Sequence, residues 1–191
     1  PMQRSHIVRP AAMFWGLTVF MPVGVTYLSA LLLMVALLAA GGWRERAVRL
    51  RDNPMWWPVM AYVVWTLVIL AIGPHYPETA SNLVHGLRIA ATVLMALGLT
   101  REEAVWAVRG FWIMGLVNVV MIALYYTVGF PMLEPWRGVL ILIGNKSISN
   151  ALLFTIMAGT AAVFGLKALT EHRPYRALAA FALVPAVMAI I

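Results

Sequence analysis

At 191 residues, with a mean hydropathy of +0.87, 63% hydrophobic and only 11% charged residues, this chain lies far from an ordinary soluble domain, where about a quarter of residues carry charge. A net charge of +7 in so apolar a chain reads as membrane topology rather than as nucleic-acid binding. There is no cysteine, which excludes disulfides, thiolate metal sites and cysteine nucleophiles.

Residues 11–42 form the first apolar region, too long for one comfortable span and short for two. Met21-Pro22-Val23-Gly24 offers a break, because proline and glycine interrupt helices and favour turns. The expectation is a tight hairpin, with one short span before Pro22 and a second over 25–40. The alternative is one long tilted helix kinked at the proline. Arg4 and Arg9 precede this region as in a signal peptide, but no small-residue cleavage site follows, so the segment is read as retained.

Further apolar segments cover 55–72, 83–99, 104–128 and 148–169, and another begins at 177. The fold class expected is therefore all-α: a polytopic transmembrane helical bundle of about six complete spans plus the start of a seventh. Residues 1–191 read as a single transmembrane domain. Residues 181–191 are apolar and follow a charged connector too closely for a full span, which suggests the N-terminal part of a longer polytopic protein.

The connectors give the orientation. With a hairpin at Pro22, one side receives Arg4, Arg9, Arg44, Arg46, Arg49, Arg51, Arg101, Arg109, Lys167, Arg173 and Arg176. By the positive-inside rule that side, and the N-terminus with it, is cytoplasmic. The single-helix alternative would place Arg4 and Arg9 outside, a poorer fit. Arg137 and Lys146 fall on the opposite side, and Arg88 within a span. The acidic and basic pairs of Arg44-Glu45-Arg46 and Glu102-Glu103 read as solvated cytoplasmic charges.

Arg88 is the exception to this pattern. A guanidinium stays charged, and placing one inside a bilayer costs roughly 2.5–3.5 kcal/mol on insertion scales. Counted from the outer end of its helix it lies about five residues in, roughly 8 Å deep. Asn82, His85 and Arg88 recur at i, i+3 and i+6, with Thr92 four residues further, as a polar stripe descending from the outer surface. Gly86 lets a backbone or ligand approach nearby. Snorkelling to the headgroups is the plain alternative. The other is an anion site open to the outer leaflet.

A second constellation favours the anion site. Gly144-Asn145-Lys146-Ser147-Ile148-Ser149-Asn150 opens the next inward-running span. Asn145 or Ser147 is an expected N-cap, and a helix N-terminus beside Lys146 suits an anion. Ser147 and Asn150 would add neutral donors. The segment lacks the first glycine of a phosphate loop. In the same outer connector Glu134, Trp136 and Arg137 add an acid, an interfacial aromatic and a base, with Arg137 able to join the site or pair with Glu134. The six apolar residues 138–143 suggest a membrane-dipping segment. His75, Tyr76 and Glu78 do not make a metal site, no catalytic Ser–His–Asp set or acid pair stands out, and no cofactor is called for.

Leu87-Arg88-Ile89-Ala90 and Gly144-Asn145-Lys146-Ser147-Ile148-Ser149-Asn150-Ala151-Leu152-Leu153, in this layout of spans, resemble the O-antigen ligase and polymerase group of integral membrane glycosyltransferases. Within the group the ligases resemble the chain most. The resemblance implies a bacterial inner-membrane enzyme of lipopolysaccharide biosynthesis. Such an enzyme moves a glycan from undecaprenyl pyrophosphate to the lipid A–core acceptor at the periplasmic face, without nucleotide or metal. It also implies that the catalytic base lies beyond Ile191. Arg88, His85, Lys146, Arg137, Asn145, Ser147 and Asn150 would then contact the donor pyrophosphate while the polyprenyl tail stays among membrane lipids. A polymerase of the same group is one alternative. A transporter or flippase for a lipid-linked or anionic substrate is another, less favoured because its contacts belong near the midplane.

Overall fold

The computed structural model describes residues 5–73, 79–128 and 145–188, which form eight helices and no strand. In chain order these are α1 (Ser5–Thr18), α2 (Val23–Ala40), α3 (Trp43–Asp52), α4 (Trp56–Ile72), α5 (Thr79–Gly98), α6 (Arg101–Val128), α7 (Asn145–Thr170) and α8 (Pro174–Met188).

The breaks follow local chemistry. The chain leaves α1 at Thr18, and Thr26 in α2 donates its hydroxyl to the Thr18 carbonyl at 2.8 Å. Residues 11–42 are therefore not one kinked helix. Gly41 and Gly42 turn the chain out of α2 with φ of 71° and 75°, a left-handed conformation that side chains resist. The Asn53 side chain accepts the Met55 N–H at 2.9 Å, setting the turn into α4. After α7, His172 takes a left-handed φ of 54° and the Arg173 N–H returns to the Ala168 carbonyl at 2.8 Å. Pro174 then opens α8, where its missing N–H costs nothing.

The residues divide into two compact units, Pro1–Ala12 with Ala30–Trp106, and Met13–Ser29 with Ala107–Ile191. In the first, α4 and α5 meet where Gly86 leaves room for the Tyr62 hydroxyl, 2.9 Å from where a Cβ would stand. Gly86, buried against Tyr62 and Thr66, forms this seam; Ala90, one turn on, is also buried. Leu31, Leu32, Val35 and Leu38 of α2, and Trp57, Val64, Trp65 and Ile72 of α4, are exposed. Such apolar faces are not those of a water-facing surface.

In the second unit Phe20 stacks on Phe111 with ring centroids 5.4 Å apart and meets Phe154 at 5.5 Å. Ile122, Met157, Ala158 and Val187 complete this buried cluster. Gly16 and Gly110 bring the backbones of α1 and α6 together: a Cβ on Gly16 would strike the Ala107 carbonyl, and one on Gly110 the Met13 carbonyl. Small residues at a helix crossing are how apolar helices associate when packing, rather than water exclusion, holds them.

Among the described residues, two helices are long and apolar enough to cross a membrane: α6 over Arg101–Tyr125 and α7 over Ala151–Thr170. A third is reached only if α2 and α3 are counted as one span, and those two are bent from one another by 118°. This corrects the expectation of about six complete spans, and the reason is length. A hydrocarbon core of about 30 Å takes about 20 helical residues. By contrast α4 has 17, and the described parts of α1 and α8 have 14 and 15. Within α5 the stretch that meets the apolar criterion among the described residues is Gly86–Gly98. The connector expected over 41–54 is itself mostly helix, as α3.

Candidate functional site

Arg88 lies in α5, half-buried, in the first unit. At about 100° per residue it sits about 160° round the helix from both Gly86 and Ala90, opposite the seam with α4. The polar stripe is narrower than its spacing suggested. His85, Arg88 and Thr92 keep a common face, whereas six residues carry Asn82 about 120° away. The Thr92 hydroxyl donates to the Arg88 carbonyl at 2.9 Å, so its hydrogen is spent on the helix backbone. Asn82 and His85 are placed by their backbone alone; their side chains lie outside the description.

The second constellation belongs to the other unit. Helix α7 begins at Asn145, so Asn145, Lys146 and Ser147 form its first turn rather than preceding it, and Asn150 follows within the second. Asn145 and Ser147, both expected as N-cap residues, lie within the helix as described. The first turn is still where backbone N–H groups lack intrahelical partners. The side chains of Asn145, Lys146, Ser147 and Asn150 lie outside the described residues, as do Glu134, Trp136 and Arg137 entirely.

A polar cluster that the sequence had been read as leaving in solvent is buried. Arg46 of α3 is 8% exposed and Glu103 of α6 only 1%. They pair as a two-pronged fork, Nη1 donating to Oε2 at 2.9 Å and Nη2 to Oε1 at 2.8 Å. Nη1 also donates to the Gly98 carbonyl at 2.8 Å, satisfying the end of α5. The Thr100 N–H donates to Glu103 Oε2 at 2.7 Å and the Glu103 N–H to the Thr100 hydroxyl at 3.3 Å. This is a reciprocal capping box at the start of α6. Nearby, Arg9 pairs with Glu102. One signal for this cluster stood in the sequence: Thr100-Arg101-Glu102-Glu103 has the threonine and glutamate spacing of a capping box. The partner, Arg46, lies 57 residues away and carried no such mark.

The cluster is structural in its chemistry. Both Glu103 carboxylate oxygens and both terminal nitrogens of Arg46 are engaged; among the described residues the buried Arg46 Nε, and Arg9 Nε nearby, have no partner. The described residues hold no group of three or more His, Asp or Glu that could bind a metal ion. Arg88, half-buried in α5 and about 160° round that helix from Gly86, remains a candidate for contact with an anionic substrate. Compared with known proteins, the chain matches no family model, no curated protein and no solved structure.

Proposed function

We propose that the chain is the polytopic membrane portion of a glycosyltransferase similar to the O-antigen ligases. It works at the periplasmic face of a bacterial inner membrane, with its N-terminus cytoplasmic, on a polyprenyl-pyrophosphate-linked glycan donor and a lipid A–core acceptor. The observation that carries this reading is Arg88, a permanent cation within the apolar register of α5. Cleaving a glycosyl pyrophosphate builds negative charge on the leaving phosphate, and a fixed cation in a dry setting stabilises that charge far better than water does. A guanidinium also matches phosphate geometry in two-pronged fashion, which an ammonium does not. The exposed apolar faces of α2 and α4 support the membrane setting, as do the spans available in α6 and α7.

The test is glycan transfer from a lipid-linked donor to lipid A–core in membranes containing the Arg88→Ala protein. Transfer should fall on the order of a hundredfold, the scale seen when one charge-stabilising donor is removed, and Arg88→Lys should restore only part of it. Wild-type transfer by Arg88→Ala at normal expression would refute the role.

A further inference from the structure

We propose that α3 is an interfacial helix whose Arg44, Arg49 and Arg51 hold the phosphates of anionic phospholipid headgroups. This rests on α2 lying in a bilayer and not on the glycosyltransferase reading.

Three independent features converge on it. First, the two left-handed glycines turn α3 by 118° from α2, so it runs within about 30° of perpendicular to that helix. Where α2 stands in a bilayer, α3 lies along the headgroup layer. Second, α3 reads Trp-Arg-Glu-Arg-Ala-Val-Arg-Leu-Arg-Asp, with four arginines in ten residues directly after an apolar helix, a composition suited to anionic lipid. Third, the tertiary structure sorts those arginines. Arg46 is consumed by Glu103 and the Gly98 carbonyl, which fixes the inward face. That leaves Arg44 and Arg51 exposed and Arg49 partly so, beside exposed Trp43 and Val48.

An open groove of about 520 Å³ runs along this surface, lined by Arg44, Glu45, Val48, Arg49 and Thr100. Its lining residues carry two guanidiniums against one carboxylate, so the charge along it is net positive. Arg51 contacts Asp52 only loosely, at 3.8 Å and in solvent, a pairing a phosphate can replace at little cost. The apolar components decide between a lipid and an aqueous polyanion. An exposed tryptophan and valine beside the arginines suit the boundary between headgroup and acyl chain.

The test reconstitutes the chain in phosphatidylcholine vesicles with and without phosphatidylglycerol. Spin-labelled analogues of both lipids then measure its headgroup preference. Wild type should prefer phosphatidylglycerol, and each guanidinium removed in the series Arg44→Gln, Arg49→Gln and Arg51→Gln should lower that preference by up to about fivefold at low ionic strength. The matched variant Arg173→Gln with Arg176→Gln should keep it. Equal loss in that variant, or an unchanged preference in the triple α3 variant, overturns the proposal. Because the chain has no cysteine, Val48→Cys gives a single label that should report the headgroup region. A label in bulk water makes α3 a face for an aqueous partner and likewise overturns it. Alkaline extraction of the wild-type chain from the vesicles is read separately: release would overturn the membrane setting itself, whereas retention without headgroup preference would overturn only the lipid site.

Discussion

Removing one partner of the Arg46–Glu103 fork should be far more harmful than removing both. In Arg46→Met, Glu103 remains 1% exposed and loses both prongs of the fork, keeping the Thr100 N–H at 2.7 Å. The Gly98 carbonyl loses its donor as well. Each charge-assisted hydrogen bond contributes about 1.5–3 kcal/mol net. The surviving Thr100 contact offsets part of the loss, which places the cost at about 3–5 kcal/mol, as for other broken buried pairs. The double variant Arg46→Met, Glu103→Leu leaves no stranded charge. It should recover at least about half of that deficit, because an apolar pair of similar volume often matches a buried ion pair. Equilibrium unfolding in detergent, followed by helical circular dichroism, measures Arg46→Met, Glu103→Leu and the double variant against wild type and gives the coupling energy. Additive losses, or an Arg46→Met cost below about 1 kcal/mol, would show that the fork is solvated after all.

Two further outcomes follow from packing. Gly110→Leu places side-chain atoms against the Met13 carbonyl and within 2.9 Å of the Leu17 N–H, so α1 and α6 must separate, at about 1–3 kcal/mol or more; a thermal midpoint unchanged from wild type would disprove that approach. Asn118 in α6 is 2% exposed, and its Oδ1 has no partner among the described residues. Asn118→Leu should therefore be neutral or stabilising by about 1 kcal/mol, whereas a loss of stability would reveal a hydrogen bond there.

Arg88 and the buried fork belong to different levels of information. Arg88 was legible as a charge out of register because hydropathy and charge are properties of a segment, needing no partner. Its relation to α4 was not, since only the close approach of Tyr62 to Gly86 shows which side of α5 faces α4. The reverse holds for Arg46. In the sequence it is one of four arginines in a basic connector, indistinguishable from Arg44, Arg49 and Arg51. Its burial depends on where α3 points, which the left-handed Gly41 and Gly42 determine.

By itself the sequence determined that the chain is helical and apolar and that it breaks at Pro22. These rest on local physics: hydrophobic content and proline geometry. The tertiary structure alone decided which arginine is buried, how closely Gly16 and Gly110 bring two backbones together, and how many helices reach spanning length. Each depends on groups brought together from distant parts of the chain, or on where a helix ends in three dimensions. The energies involved come from packing and from ion pairs that no single segment contains.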